Sequence, residues 1–271
     1  MPLNLRRISD ALLGDGDSRP LARYRAGFGA LLFGEAIERL PYAAELFSNE
    51  GFHRTSFAVP VPSPSVAYAL VAASALSALA MSLGWRTRIA TMVTLISWSW
   101  LYAIDQIGEK ALHSLMLVVL AALAISDSGA TLSLDARRDG SRDRAWVTPL
   151  RIIQLEFAQV YFFAGVVKTR VPDWLSGGVL SRSLSSRWAN EAGMWAARTL
   201  PESTWHALAV ASVVYELGAP WLLFVPRARR YVIALGLVFH AGIQVMLGVG
   251  WLGFHFMLAL VTLFPMSERE A

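Results

Sequence analysis

The chain of 271 residues contains no cysteine and has few charged residues. Without cysteine there is no disulfide framework, no thiolate metal site and no thiol nucleophile. Charged side chains make up 16% of the sequence, whereas an average soluble domain carries about 25%. The composition therefore excludes cysteine chemistry and disfavours an ordinary soluble fold.

Apolar residues dominate the rest of the composition. They make up 55% of the chain, and the mean hydropathy is +0.45. Apolar runs recur along nearly the whole sequence with no long polar block between them, which predicts a single transmembrane domain over residues 1–271. The segment 1–18 is polar and contains three aspartates, so it lacks the apolar core of a cleavable signal peptide.

Eight apolar segments approach the length that a membrane-spanning helix needs, which is roughly 20 residues. They are residues 24–47, 65–83, 87–104, 111–126, 150–167, 206–224, 231–247 and 251–264. We therefore predict an all-α fold, a polytopic bundle with about eight spans. No internal repeat of fixed period interrupts this pattern.

Clusters of arginine predict the orientation of these spans, because cytoplasmic connections hold the excess of basic residues. The clusters are Arg6, Arg7 and Arg19; Arg86 and Arg88; Arg137, Arg138, Arg142 and Arg144; and Arg227, Arg229 and Arg230. All fall on one side, so we expect an integral protein of a bacterial inner membrane with both termini in the cytoplasm. The net charge of +4 lies in these clusters and forms no single basic stripe, so we expect no nucleic acid partner.

The long connection 168–205 lies on the opposite, outer side of the predicted bundle. It interleaves arginines with Trp174, Trp188 and Trp195. Aromatic side chains of this kind anchor segments at the membrane–water boundary. We therefore predict amphipathic helices that lie in the outer interface.

Ionisable residues inside the predicted spans are candidates for function, because a charge in hydrocarbon is costly. They are Glu35, Asp105, His113, Glu156, Lys168, Glu216, His240 and His255. Each also has a structural interpretation: a packed histidine with a hydrogen-bond partner, or a buried carboxylate paired with a cation. The predicted topology places several of them toward the outer leaflet, where they could line one cavity.

Lys168 is the most informative of these residues. It ends an apolar segment, so one interpretation is a lysine whose ammonium group reaches the membrane surface. The other is a desolvated amine that acts as a base. Helical spacing puts Gly165 and Tyr161 on the same face, and Gly165 would admit a flat ligand or a neighbouring helix close to the backbone.

Motifs of the common soluble enzymes are missing from the sequence. There is no phosphate-binding or dinucleotide-binding glycine pattern, no serine elbow and no zinc-protease helix. The histidines of the spans have no second ligand at close helical spacing, so we expect no metal site.

The residues around Lys168 carry a resemblance to a known family. The run Tyr161-Phe162-Phe163-Ala164-Gly165-Val166-Val167-Lys168, followed by Asp173-Trp174 and Gly177, resembles a motif of the horizontally transferred transmembrane domain (HTTM) family. The best-known relative in that family is the vitamin K-dependent gamma-carboxylase. His113-Ser114 and Phe239-His240 with Gln244 resemble two further family blocks, and Arg25, Gly29 and Glu216 resemble weaker positions.

This resemblance covers nearly the whole chain and implies a membrane enzyme that uses a reduced quinone and molecular oxygen. Lys168 matches the carboxylase lysine that acts as base, and Val167 replaces the lysine before it. The resemblance further implies that His113 and His240 position the substrate or stabilise an oxyanion. It assigns Tyr161, Gly165, Trp174, Gln244 and Glu216 to the binding of the quinone.

In the carboxylase, deprotonation of the quinone leads to its epoxide, and carbon dioxide is captured on a glutamyl side chain. The present sequence ends at Ala271, soon after the eighth segment. We therefore expect no extensive lumenal region that captures a protein substrate. Quinol oxygenation is the expected activity, and carbon dioxide is a cosubstrate only if carboxylation follows.

Two other classes of function stay open. One is a membrane factor for peptide or toxin maturation or immunity, which would have a peptide partner. The other is a transporter or helical scaffold in which Lys168 and the histidines are structural. In every case the lipid bilayer is an expected partner, and the enzyme hypothesis adds a hydroquinone-type small molecule.

Overall fold

The computed structural model describes residues 12–52, 59–105 and 111–264. Arg6 and Arg7 of the first predicted arginine cluster lie outside these residues, as does Ala271. Within the described ranges nearly all regular structure is helical, which confirms the all-α prediction.

The helices follow the apolar segments closely. They are α1 (Arg19–Arg39), α2 (Ala43–Phe47), α3 (Pro64–Leu83), α4 (Thr87–Ile104), α5 (Ala111–Ile125), α6 (Leu134–Asp139), α7 (Thr148–Arg170), α8 (Gly178–Leu184), α9 (Glu191–Thr199), α10 (Glu202–Leu222), α11 (Pro226–Met246) and α12 (Leu252–Leu263). The first segment differs, because a 3-10 turn at Leu40–Tyr42 separates α1 from α2. Pro41 lies in that turn, and proline cannot donate the backbone hydrogen bond that a continuous helix requires.

The chain divides into two compact units, Met1–Ile153 and Gln154–Ala271, and the boundary falls within α7. In the first unit α3 packs against α1 on one side and α4 on the other, and α5 packs against α4. In the second unit α11 packs against α10, α12 and α9. The sequence prediction of a single domain stays a prediction.

A short antiparallel strand pair joins the two ends of the first unit. β1 (Asp15–Asp17) pairs with β2 (Arg144–Trp146), and Gly16 lies opposite Ala145. The backbone N–H of Val147 continues the pairing with a hydrogen bond to the carbonyl of Gly14 at 3.0 Å.

Arg25 on α1 is fully buried and holds the end of α3. Its Nη1 donates to the carbonyls of Met81 and Ser82, the latter at 2.9 Å. Its Nε donates to the carbonyl of Ser128 at 3.1 Å, and its Nη2 donates to that of Leu132 at 2.7 Å. The last carbonyls of a helix have no partner within the helix, so a cation at this place is stabilising.

Asp135 performs the complementary role at the start of α4. Its carboxylate accepts hydrogen bonds from the N–H groups of Arg86 and Thr87 at 2.9 and 2.7 Å, and from the Thr87 hydroxyl at 2.8 Å. Burial raises the pKa of Asp135, but these hydrogen bonds, together with the charge of Arg138, outweigh that effect and hold the pKa below its usual value. The carboxylate thus acts as an N-cap supplied from a distant part of the chain.

Helix α4 buries its threonines and exposes several of its large apolar side chains. Thr91 and Thr94 have no exposed surface, whereas Ile89 and Ile96 are 59% and 60% exposed. The Thr94 hydroxyl donates to the hydroxyl of Ser77 on α3 at 3.0 Å. Small hydroxyl side chains at a helix contact, together with exposed apolar side chains, are typical of helices that face lipid.

Among residues 12–52, 59–105 and 111–264, two helices are long and apolar enough to cross a membrane, Pro64–Leu83 and Thr148–Arg170. Shorter apolar helices cover His113–Ile125 and Leu252–Leu263. The prediction of eight crossings therefore stays a prediction. Helices α8 and α9 lie in the connection predicted to be amphipathic, where Trp188 and Trp195 are 50% and 64% exposed.

Candidate functional site

One face of α7 carries the residues of the sequence motif. Phe157, Tyr161 and Gly165 follow one another at a spacing of one helical turn and are buried, and Lys168 continues the row at the end of the helix. The exposed positions between them are apolar, as at Phe163. The buried face therefore points Tyr161 and Lys168 into the second unit.

Lys168 forms an ion pair with Glu216 of α10. Its Nζ donates a hydrogen bond to Oε1 of that carboxylate, and the exposed fractions of the two side chains are 18% and 6%. The same nitrogen lies 4.8 Å from the ring centroid of Trp174 and 5.8 Å from that of Phe239. A cation over an aromatic face is attracted by the ring, so the ammonium is held between one carboxylate and two aromatic rings.

The close approach of α10 to α7 depends on Gly165. A Cβ atom at this position would lie 2.9 Å from the side chain of Leu217 and 3.2 Å from Cβ of Glu216. Any larger side chain would require the Leu217 side chain to rotate or α10 to shift. Gly165 thus allows Glu216 to reach Lys168, one turn further along α7.

Tyr161 and His240 form a second polar contact within the same unit. The Tyr161 hydroxyl lies 2.7 Å from Nε2 of His240, and both side chains are buried. The His240 ring stacks on Phe256 with centroids 4.8 Å apart, and Tyr215 packs edge-on against Tyr161 at 5.5 Å. The tautomer of His240 decides which group donates, and in either case the contact fixes the Tyr161 hydroxyl and the imidazole relative to each other.

Two buried polar atoms beside Lys168 have no hydrogen-bond partner among the described residues. They are Oε2 of Glu216 and Nε1 of Trp174. Most buried polar atoms in proteins are paired, so an unpaired acceptor and an unpaired donor in one place require an explanation.

Gln244 lies one turn beyond His240 on α11 and stabilises the turn that leads to α12. Its Nε2 donates to the carbonyl of Gly250 at 2.8 Å. The connection between α8 and α9 contacts the same end of α11, since the backbone N–H of Asn190 donates to the carbonyl of Met246 at 3.0 Å. The end of the helix that carries His240 is therefore held by one side-chain hydrogen bond and one backbone hydrogen bond.

His113 belongs to the first unit, at the start of α5. It is buried and stacks on Tyr102, with centroids 4.3 Å apart and rings inclined by 21°. Tyr102 packs in turn against Trp98, over which the guanidinium of Arg39 lies at 4.9 Å. Arg39 also pairs with buried Glu35 at 3.6 Å. The first unit thus has its own group of polar and aromatic side chains.

The structure also places the remaining ionisable residues of the predicted spans. His255 is buried on α12, Asp105 ends α4, and Glu156 accepts a hydrogen bond from Gln159. Within the described part of the chain, no group of three histidine, aspartate or glutamate side chains could hold a metal ion.

Sequence reasoning did not identify Tyr215 and Phe256, which pack against Tyr161 and His240. Aromatic residues are common in apolar helices, so their type carries no signal. The only signal for Tyr215 in the sequence is its position directly before Glu216.

One family model, described as the HTTM domain, matches residues 15–268. No curated protein and no solved structure matches the chain. The family match covers both compact units and includes the described side chains of both polar groups. The chain therefore belongs to the HTTM domain family.

Proposed function

We propose that this HTTM-domain protein is a membrane-embedded enzyme that deprotonates a reduced quinone, with Lys168 as the base. The HTTM domain is associated with vitamin K-dependent carboxylase-like proteins, which supports this class of reaction. The observation that carries the proposal is the ion pair of Lys168 with Glu216, held against the ring of Trp174. A reactive amine in such a place is shielded from bulk water, as general-base catalysis in a membrane requires.

The membrane part of the proposal is an eight-span bundle with cytoplasmic termini and the site toward the outer face of a bacterial inner membrane. Its support is the exposed apolar side chains and buried threonines of α4 and the one-sided arginine clusters. Topology reporters fused after Arg144 and after Arg230 should give a cytoplasmic signal, and a reporter after Gly177 an external one. An external signal after Arg144 or Arg230 would contradict the topology.

The chemistry follows from the Lys168–Glu216 pair. In the proposed step, the Glu216 carboxylate accepts a proton from Nζ, which converts the ion pair into a neutral amine and a neutral carboxylic acid. The free electron pair of Nζ then accepts the hydroxyl proton of the substrate. The resulting ammonium remains next to the new oxyanion and stabilises it. A reduced quinone supplies the electrons for the later reaction with oxygen, and carbon dioxide enters only if carboxylation follows.

His240 and Tyr161 have a supporting role in this proposal. Their hydrogen bond orients the Tyr161 hydroxyl on the same α7 face as Lys168. Gly165, Trp174, Gln244 and Glu216 complete the proposed set that positions the quinone or stabilises charge. The role of His113, which lies in the first unit, stays a prediction.

Replacement of Lys168 tests the base assignment. Lys168→Arg keeps the positive charge but cannot release its proton at physiological pH, so turnover should fall to background, as in Lys168→Ala. Arg170→Ala, at an exposed position on the same helix end, is the matched control and should keep wild-type turnover. The assay follows oxygen-dependent loss of reduced quinone and formation of an epoxide by protein in nanodiscs. Wild-type turnover in Lys168→Arg would refute the assignment. No turnover by wild type with several quinols would contradict the enzyme and favour a peptide-maturation factor.

A further inference from the structure

An open cavity lies in the first unit, where α3 ends and α6 begins. Its volume is about 640 Å³, within the range of about 300–1,000 Å³ that is usual for small-molecule sites. The lining combines apolar residues, small hydroxyl residues and one arginine, and the described residues contribute no carboxylate to it. All of these residues belong to the first unit, whereas Lys168 belongs to the second.

Three leucines form the apolar part of the lining. Leu83, Leu132 and Leu134 are all exposed, Leu132 to 57%. Leu132 has a φ of +50°, a conformation that residues other than glycine rarely adopt. Its carbonyl accepts a hydrogen bond from buried Arg25 at 2.7 Å, which stabilises this conformation from inside the unit. The fold thus keeps three apolar side chains open to a ligand.

The polar part of the lining has unused capacity for an anion. Arg137 is exposed and has no carboxylate partner among the described residues, whereas the adjacent Arg138 pairs with Asp139 at 2.7 Å. The buried Thr131 hydroxyl accepts a hydrogen bond from Ser141 at 3.1 Å, and the described residues supply no acceptor for its own hydrogen. A guanidinium and a hydroxyl donor, with no carboxylate in the lining, suit a phosphate group.

The place of the cavity at the end of α3 indicates what kind of phosphate it can bind. Helix α3 has 20 residues and is one of the two described helices that are long and apolar enough to cross a membrane. A helix of this length rises about 30 Å, which is the thickness of the hydrocarbon core, so a crossing by α3 puts Leu83 at the boundary of that core. Trp85 follows at an exposed position, and tryptophan is enriched at this boundary.

We propose that this cavity binds an anionic phospholipid, with the lipid phosphate on Arg137 and Thr131. The upper part of an acyl chain then contacts the three leucines. A free phosphate would leave these leucines in water, and a zwitterionic lipid would bring a second cation close to Arg137. Basic pockets of membrane proteins bind anionic headgroups for the same reason. The inference requires the membrane location of the protein and does not depend on the proposed activity.

Native mass spectrometry of the full-length protein in detergent measures this binding. Short-chain phosphatidylglycerol is added below its critical micelle concentration, and phosphatidylcholine with the same acyl chains and inorganic phosphate are the comparison probes. Wild type should bind a single phosphatidylglycerol about tenfold more tightly than phosphatidylcholine, since one interaction with a charged group corresponds to a factor of this order. Inorganic phosphate in excess should not displace the lipid.

Three variants test the two parts of the cavity. Arg137→Gln should weaken phosphatidylglycerol binding about tenfold and leave phosphatidylcholine binding unchanged. Arg138→Gln removes the same charge from the adjacent position, where the guanidinium already has a carboxylate partner, so it is the matched control. Leu132→Gly removes an apolar side chain and suits the positive φ, so the protein should fold and bind both lipids about tenfold more weakly.

Equal affinity of wild type for the two lipids would overturn the inference, because it indicates only the general contact of a membrane protein with lipid. Equal losses in Arg137→Gln and Arg138→Gln would overturn it as well, since net charge alone would then explain the binding. Displacement by inorganic phosphate would replace the lipid site with a simple anion site. If Arg137→Gln does not fold, Leu132→Gly decides, and wild-type affinity in that variant contradicts the proposal.

Discussion

Each unit of the protein buries a cation, and the two cations are bound in different ways. Arg25 of the first unit has no exposed surface and donates to four backbone carbonyls. Lys168 of the second unit contacts one carboxylate and two rings, and polar atoms of Glu216 and Trp174 stay without partners among the described residues. The comparison distinguishes a cation that joins helix ends from one that has side chains as partners and unpaired polar atoms nearby.

The side-chain chemistry explains why arginine is used in one place and lysine in the other. Guanidinium has five N–H donors in a fixed plane and stays protonated, so it can serve several carbonyls permanently. An ammonium group is compact and can lose its proton when its surroundings are of low polarity. The first property suits a structural joint, and the second suits proton transfer.

Arg25→Met should have the largest effect on stability. It leaves four carbonyls without their donor, and buried polar groups that lose partners cost about 1–3 kcal/mol each when no water replaces them. We expect a loss of about 3–5 kcal/mol in the free energy of unfolding, measured by denaturant titration in mixed micelles. Arg23→Met, at an exposed position on the same helix, is the control. A loss no larger than in the control would show that Arg25 does not stabilise the helix ends.

Lys168→Met makes the same substitution at the second cation and should cost about 2 kcal/mol, because Glu216 loses its charge partner. The partner of Lys168 is a side chain, whereas the partners of Arg25 are backbone carbonyls, so the partner of Lys168 can be substituted as well. The double variant Lys168→Met/Glu216→Gln should therefore recover most of that loss and lie within about 1 kcal/mol of wild type. The free energies of unfolding of wild type, Lys168→Met, Glu216→Gln and the double variant give the coupling energy between the two residues. If the loss of stability in the double variant equals the sum of the losses in the two single variants, Lys168 and Glu216 do not depend on each other.

Glycine-to-alanine changes compare a helix contact of the first unit with one of the second unit. At Gly29 a Cβ atom would lie 2.7 Å from the backbone nitrogen of Ser82, and backbone cannot move aside, so we expect a loss of about 1–3 kcal/mol. At Gly165 the nearest atoms belong to the Leu217 side chain, which can rotate. Gly165→Ala should cost less stability but weaken hydroquinone binding, because it displaces Glu216.

The control for both changes is Gly242→Ala, since nothing lies within 4 Å of a Cβ atom there. It should be neutral or stabilise by about 0.5–1 kcal/mol, as alanine favours a helix over glycine. Thermal unfolding and ligand titration of the three variants provide the measurements. Equal binding by Gly165→Ala and wild type would contradict the positioning role of this contact.

Asp135→Asn should have the smallest effect, about 1 kcal/mol at neutral pH, because it weakens a helix cap without removing it. The folded state lowers the pKa of Asp135. Its contribution to stability is therefore present above the ordinary value of 3.8 and is lost as the pH falls through the lower folded value. The difference in unfolding temperature between variant and wild type should narrow in acid. Asp143→Asn is an exposed control, and a difference that is constant with pH would contradict the cap.

The helices could be predicted from the sequence because each apolar run is bounded by residues that end helices. The segment 87–104 coincides with α4, and Gly84, with a φ of +68°, ends α3 just before it. The break in the first segment was missed although Pro41 marks it, because the apolar pattern continues across the turn. The prediction relied on the length and hydropathy of the segment. The helix breaks there because proline has no backbone N–H to donate.

The partners of the buried charges could not be predicted. Arg25 and Ser128 are 103 positions apart in sequence, and Lys168 and Glu216 are 48 apart. The sequence identifies Lys168 and Glu216 as costly to bury, but the choice of partner depends on how helices pack. For the same reason Lys168, Glu216 and Trp174 were predicted one by one, and their common contact emerged only from the fold.

The strand pair in the first unit determines the order in which that unit can be completed during synthesis. The Thr148 hydroxyl donates to the carbonyl of Leu12 at 2.6 Å, although the two residues are 136 positions apart. The ribosome releases Leu12 and β1 first, then α3, α4 and α5, and β2 only afterwards. Closing so long a loop before the helices exist would be entropically costly. The strand pair therefore closes a helical unit that has already been synthesised, and it does not nucleate it.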